Sequence, residues 1–303
     1  MNGVPEKKGL LAATICHFLW GLSFMASRIA LNNAPVIVLL SHRFLTAFLT
    51  MSLFAVTGVA DCRLREKPFR PLLFLGLMEP VVYFFGEQYG ILHSTTIFSG
   101  VMISTIPIFS ILAAVPVLKE KPTLGQTVFS LLSVGGVIGV GLLNRSSGVL
   151  DWIGVASLLV AVFSAVIYTL LNRGISRRYT SFERTYAMLG IGAAVFTVMA
   201  LVSVHGDMAA YFRPFAVTAY TASVLYLALL CSVVCYFLSS YCLSVLSVAR
   251  ATVFANLTTA VSVLAGALIL REPLPPLGVL CCALILIGIY GVQRTAKKER
   301  GTD

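Results

Sequence analysis

Apolar and polar positions alternate along this chain on the scale of whole segments rather than single turns. Apolar runs of about twenty residues recur from end to end, each long enough to cross ~30 Å of hydrocarbon. They predict ten membrane helices, over about 10–31, 36–58, 71–92, 95–118, 124–143, 151–172, 185–204, 215–243, 247–270 and 277–292. Only His93-Ser94 parts the third run from the fourth, which makes that hairpin tight. No stretch remains for a soluble domain. The first run follows Lys7-Lys8, but its apolar part is too long for a secretory signal and no small-residue cleavage site follows. It is read as a retained helix.

The pattern also repeats. The run 101–118 ends in Lys119-Glu120-Lys121-Pro122 and is followed by 124–143. The run 253–270 ends in Arg271-Glu272-Pro273 and is followed by 277–292. A shift of 152 aligns Val101 with Val253, Ser110 with Ser262, Leu118 with Leu270 and Glu120 with Glu272. Two similar halves are expected, 1–146 and 147–303, joined by the polar linker around Ser146-Ser147-Gly148. Five spans per half is an odd number, so the second half enters the membrane the opposite way round. Inverted repeats of membrane-length segments point to transport.

Composition agrees with this picture. Of 303 residues, 58% are hydrophobic and 11% charged, with a mean hydropathy of +0.93. A soluble domain carries roughly twice that charge. The net charge of +10 would suit nucleic acid, but the basic residues sit in the joints between runs. Seventeen of the twenty-two Lys and Arg fall on one side of a ten-span layout, leaving Arg145, Arg213 and Arg271 outside, Arg28 near that edge and Arg43 within a span. This asymmetry places both termini in the cytoplasm and the protein in the plasma membrane. The charge is therefore topology, and no nucleic-acid partner is implied. Six of seven cysteines, Cys16, Cys231, Cys235, Cys242, Cys281 and Cys282, lie in apolar runs, and Cys62 lies in a loop. None has metal-ligand spacing with His, and they read as small buried hydrophobes. No phosphate-binding loop and no catalytic constellation stands out, so neither a cofactor nor an enzyme is expected.

The chain resembles the EamA family of the drug/metabolite transporter superfamily. The residues that carry the resemblance are Trp20-Gly21, Arg43, Pro107 and the two Leu-Lys/Arg-Glu endings. The resemblance implies an all-α integral membrane protein of ten helices. The first four helices of each half should line a central cavity, with the fifth and tenth at the periphery. It also implies secondary transport of a small metabolite, commonly export of amino acids and related metabolites or uptake of small polar compounds. One departure is that Thr259 stands where a ninth-span proline is frequent.

Three charged side chains fall within the apolar runs: Arg43, Glu79 and Glu87. Each costs roughly 2.5–3.5 kcal/mol at a helix centre, so such residues face the bundle interior. Glu79, Tyr83 and Glu87 are spaced by four and share one sector of the third helix. Arg43 and Glu87 are expected at similar depth, either as a structural ion pair or as part of a site. Glu79 has no cation at its depth. It is a candidate for proton coupling or for a substrate's positive group; a packing role is the alternative. Pro80 gives no N–H and should bend the helix. His17, Trp20, Phe24 and Arg28 share a face of the first helix, with Trp20 a gate, a cation–π wall or a packing residue. Ser164, Tyr168 and Asn172 form a polar stripe in the sixth, and His42, Thr46 and Thr50 another in the second. Asn256, Thr259 and Ser262 in the ninth suit helix contact or substrate. Gly135 and Gly139 suit packing or a homodimer contact.

The expected site is Trp20, Arg43, Glu79, Tyr83, Glu87, Tyr168 and Asn256. The expected function is a secondary transporter, an exporter of a small polar metabolite such as an amino acid or amine, with lipid and protons as its other partners. A passive channel is the alternative. The orientation predicts that a fluorescent protein fused to the C-terminus lights up, whereas alkaline phosphatase fused there stays inactive. The reverse result would overturn the charge-based topology.

Overall fold

The computed structural model describes residues 3–58, 64–93, 102–103, 105–119, 122–143, 152–269 and 276–299. Glu120, Lys121, the linker at 144–151, residues 270–273 and Cys62, on which expectations were placed, lie outside the described residues. So do the side chains of Phe24, Arg28, Ser262 and Cys282.

Every regular element among the described residues is helical. The first half carries α1 (Gly3–Leu31), α2 (Val36–Val56), α3 (Arg70–Gly76), α4 (Tyr83–Leu92), α5 (Ile106–Leu118) and α6 (Leu124–Leu143). The second carries α7 (Trp152–Gly174), α8 (Ser181–Ser203), α9 (Met208–Phe212), α10 (Thr218–Leu225), α11 (Cys235–Val245), α12 (Val248–Thr252), α13 (Ala255–Ile269) and α14 (Pro276–Glu299). A wide π-type turn over Tyr226–Val234 joins α10 to α11 as one rod, while Leu77–Val82 joins α3 to α4 in a third rod that is kinked at Glu79. Among the described residues, five helical stretches are long and apolar enough to cross a membrane: Pro5–Leu31, Val36–Val56, Trp152–Gly174, Ser181–Ser203 and Thr218–Val245. Shorter apolar helices cover Ile106–Leu118, Leu124–Gly136 and Pro276–Val292.

Leu40, Phe44, Ala47 and Met51 of α2 point into the bundle, while Leu49, Leu53 and Val56 stand exposed on its other face. Val160, Phe163 and Ile167 do the same on α7. Apolar outer faces of this kind suit hydrocarbon and would be costly in water. The main packing partnerships cross from one half of the chain to the other. α2 lies along α8, α1 against α11 and α13, α4 and α5 against α7, and α6 along α14. The two halves therefore interleave.

The α6–α14 seam depends on glycine. A Cβ on Gly136 would lie 2.7 Å from the Cys281 carbonyl oxygen, and one on Gly288 would lie 2.6 Å from that of Phe129. Gly139 faces Cys281 of the same chain, whereas a Cβ on Gly135 would meet nothing within 4 Å. The expected glycine pair is thus split: one member serves the seam and the other points away from it.

α8 begins four residues earlier than the apolar run suggests. Thr180 and Glu183 form a reciprocal capping box that starts the helix at Ser181. This places Arg184, counted from sequence among the loop charges, on the first turn and fully buried. Its guanidinium donates to the Asn172 carbonyl at 2.7 Å, to Asn172 Oδ1, to the Ser240 carbonyl at 2.8 Å and to Ser181 Oγ at 3.2 Å. Among the described residues it forms no ion pair with a carboxylate. It clamps α7, α8 and α11 together. Nearby, Lys67 bridges to Glu183 at 2.7 Å and Arg173 caps the last carbonyls of α11.

Gly288→Ala should force α14 off α6 and cost about 1–3 kcal/mol, read as a lower melting temperature in detergent. Gly135→Ala should leave the melting temperature unchanged or raise it. Equal effects of the two substitutions would contradict this seam.

Candidate functional site

The third rod breaks at Glu79. Its φ of −139° and ψ of 120° are extended, within an otherwise helical run, and the Glu79–Pro80 peptide is cis. Pro80 has no N–H with which to continue the ladder, as the sequence suggested. The broken stretch is held from two sides. Ser164 of α7 donates to the Met78 carbonyl at 2.5 Å. On α8, Gly192 has no side chain where a Cβ would come within 2.5 Å of the Pro80 ring.

The break turns the Glu79 carboxylate into the bundle, where Tyr236 of α11 donates to Oε1 at 2.9 Å. Tyr236 stands edge-on to Trp20 at 5.4 Å and to Tyr168 at 6.5 Å between ring centroids. Trp20 is fixed by its Nε1, which donates to the Cys231 carbonyl at 2.9 Å, and Tyr168 by Asn172, at 2.8 Å. Two turns along from Glu79, Glu87 accepts from Tyr83 at 2.9 Å and from Gln88 at 3.4 Å.

Arg43 and Glu87 do not form the direct ion pair that their depth suggested. α2 packs against α8 rather than along the third rod. Arg43 Nε donates to Ser232 Oγ at 2.8 Å, and the guanidinium lies over the Phe84 ring at 4.8 Å. Its terminal nitrogens make no hydrogen bond among the described residues. Even so, Phe84, Tyr83, Tyr168, Trp20 and Tyr236 pack in one cluster, which joins Arg43 and Glu87 to the surroundings of Glu79. Arg43, Glu79 and Glu87 keep 6%, 8% and 8% of their surface, so none of the three is fully sealed.

Six of the seven expected residues, Trp20, Arg43, Glu79, Tyr83, Glu87 and Tyr168, therefore belong to one continuous group. Asn256 stands apart. It donates to Ser133 of α6 at 3.1 Å, and Ser133 in turn donates to the Ile285 carbonyl of α14 at 3.2 Å.

Comparison with known proteins decides the family. The model of the EamA-like transporter family matches residues 7–142 and again 152–294. The chain belongs to the EamA-like transporter family. An uncharacterized transporter, YcxC, of Bacillus subtilis is 32% identical over 95% of this chain and 94% of its own length. A protein of Streptantibioticus cattleyicolor described as a probable terminal-alkyne amino-acid exporter is 26% identical, covering 97% of this chain and 96% of its own. A crystal structure with 15% identity superposes with a TM-score of 0.80 over 97% of this chain and 99% of that one, a likeness of fold.

In this EamA-like chain the sequence reading missed Tyr236. With Ser232 and Ser240 it forms a polar stripe at steps of four. The spacing rule that singled out Ser164, Tyr168 and Asn172 would have found it. Each member of the stripe meets a polar group: Ser232 takes Arg43, Tyr236 takes Glu79 and Ser240 takes Asn172 at 3.2 Å. Members of the other expected stripes make local and helix-to-helix contacts. His42 shares a hydrogen bond with Tyr220 at 2.7 Å within an aromatic group that includes Tyr211 and Phe215. Thr50 bonds back to the Thr46 carbonyl, and His17 shares a hydrogen bond with Thr258 at 3.1 Å.

Tyr236→Phe should keep the aromatic edge on Trp20 while removing the donor to Glu79. The expected loss is about 1 kcal/mol, seen as a small drop in melting temperature. No drop would mean that the hydroxyl does not hold the carboxylate.

Proposed function

We propose that this EamA-like protein is a secondary exporter of a small polar metabolite carrying an amino group, such as an amino acid or amine. The observation that supports this most directly is the separation of opposite charges within one aromatic-walled group. Glu79 offers a carboxylate beside Trp20, Tyr168 and Tyr236. Arg43 offers guanidinium nitrogens that no carboxylate among the described residues engages. An ammonium group suits the first, where aromatic faces add cation–π attraction. A carboxylate suits the second, by paired N–H donation. The name of the Streptantibioticus relative agrees with this class of substrate.

In this reading the chain crosses the plasma membrane ten times as two inverted five-helix repeats, with both termini cytoplasmic. Alternating access exposes the group to one side and then the other. Glu79 and Glu87 exchange protons with the two compartments and couple the movement to the proton gradient.

The test is a thermal-shift screen of purified protein against amino acids, amines, nucleosides and sugars, since a ligand that binds the folded form raises its melting temperature. Amino acids or amines should stabilise the wild type, and Glu79→Gln should lose that shift. Flux in proteoliposomes should depend on a pH gradient and lose that dependence in Glu79→Gln. Stabilisation by sugars alone would refute the substrate class. Flux indifferent to pH in the wild type would favour a passive facilitator.

A further inference from the structure

One turn from Trp20, cysteines from both halves of the chain face each other's backbone. Cys16 of α1 donates from Sγ to the Cys235 carbonyl at 3.3 Å, and Cys235 of α11 donates from Sγ to the Cys16 carbonyl at 3.5 Å. The exchange is reciprocal, so the two backbones pass closely at these residues and each side chain is turned toward the other helix. This arrangement suits a disulfide, whose Cα atoms lie about 4.4–6.8 Å apart. Cys231 is one turn away and engages a different backbone group, the Leu19 carbonyl, at 3.9 Å.

We infer that Cys16 and Cys235 form an oxidation-sensitive pair whose disulfide staples α1 to α11. Hydrogen peroxide, small and uncharged, is the oxidant class that suits a site in apolar packing. One peroxide takes the two thiol hydrogens and one electron pair. The S–S bond forms, the O–O bond breaks and two waters leave. The staple joins residues 219 positions apart in sequence and binds one half of the chain to the other. It also fixes two walls of the charged group at once. Trp20 sits one turn beyond Cys16 with its Nε1 on the Cys231 carbonyl, and Tyr236 is the next residue after Cys235. On the transport reading above, on which this consequence rests, the stapled protein cannot exchange its two access states and flux stops.

The experiment uses full-length protein in lipid vesicles, treated with hydrogen peroxide, with remaining thiols then blocked and peptides mapped by mass spectrometry. The expected result is one linked peptide pair containing Cys16 and Cys235, lighter by two hydrogens. It should come with a rise in melting temperature that dithiothreitol reverses. Cys231→Ser should retain both signals, and Cys16→Ser and Cys235→Ser should each lose them. A Cys231–Cys235 link with Cys16 left free, or no link in the wild type, overturns the pairing; the wild-type map decides this even if a variant fails to fold. In the same vesicles, peroxide should abolish amino-acid or amine flux and dithiothreitol should restore it. Undiminished flux through fully linked protein overturns the arrest. Flux absent before treatment refutes the transport reading alone, because the peptide map and melting shift still decide the pairing.

Discussion

A polar group inside hydrocarbon has no water to turn to, and this constraint organises the centre of the protein. Three charged side chains and a broken helix are set among apolar segments, and each is met by a neighbour. Glu87 is met within its own helix by Tyr83 and Gln88, and the break by Ser164 and Gly192. The α10–α11 rod meets the other two. It carries no acid or base between Thr218 and Val245, yet its stripe of Ser232, Tyr236 and Ser240 meets Arg43, Glu79 and Asn172 in turn. The position of α11 in the bundle follows from these contacts as much as from its apolar packing.

The same contacts give the two halves different tasks. The first half contributes the charges, on α2 and the third rod. The second contributes hydroxyls, aromatic edges and the close backbone surface around Gly192 that admits Pro80. Because α2 lies along α8 and α1 along α11, neither half encloses the charged group by itself. A group shared in this way changes shape whenever the halves move relative to each other.

Much of this was legible in the sequence. The apolar runs announced an all-helical chain, five stretches of which are long and apolar enough to cross a membrane among the described residues, and the charges within the runs located most of the central group. Pro80 announced the break. What the sequence obscured was neighbourhood. Arg43 and Glu87 fall at matching depth on consecutive runs, which suggested a pair, but consecutive helices here are not the main packing partners. Asn256 looked like a cavity residue because a polar side chain in a span can serve either a ligand or a helix seam. Only the position of α6 settles where it sits. Arg184 was misread because loop and first turn look alike in composition. The Thr180–Glu183 capping pair was the available signal, and it places the helix start three residues before the arginine.

That arginine bears on how the chain is made. Residues emerge from the ribosome in order, so α7 and α8 enter the membrane before α11 exists. Until Ser240 arrives, the Arg184 guanidinium lacks the carbonyl that α11 supplies, and a cation without its acceptors is poorly tolerated in lipid. The buried start of α8 is therefore completed only by a segment that lies later in the chain.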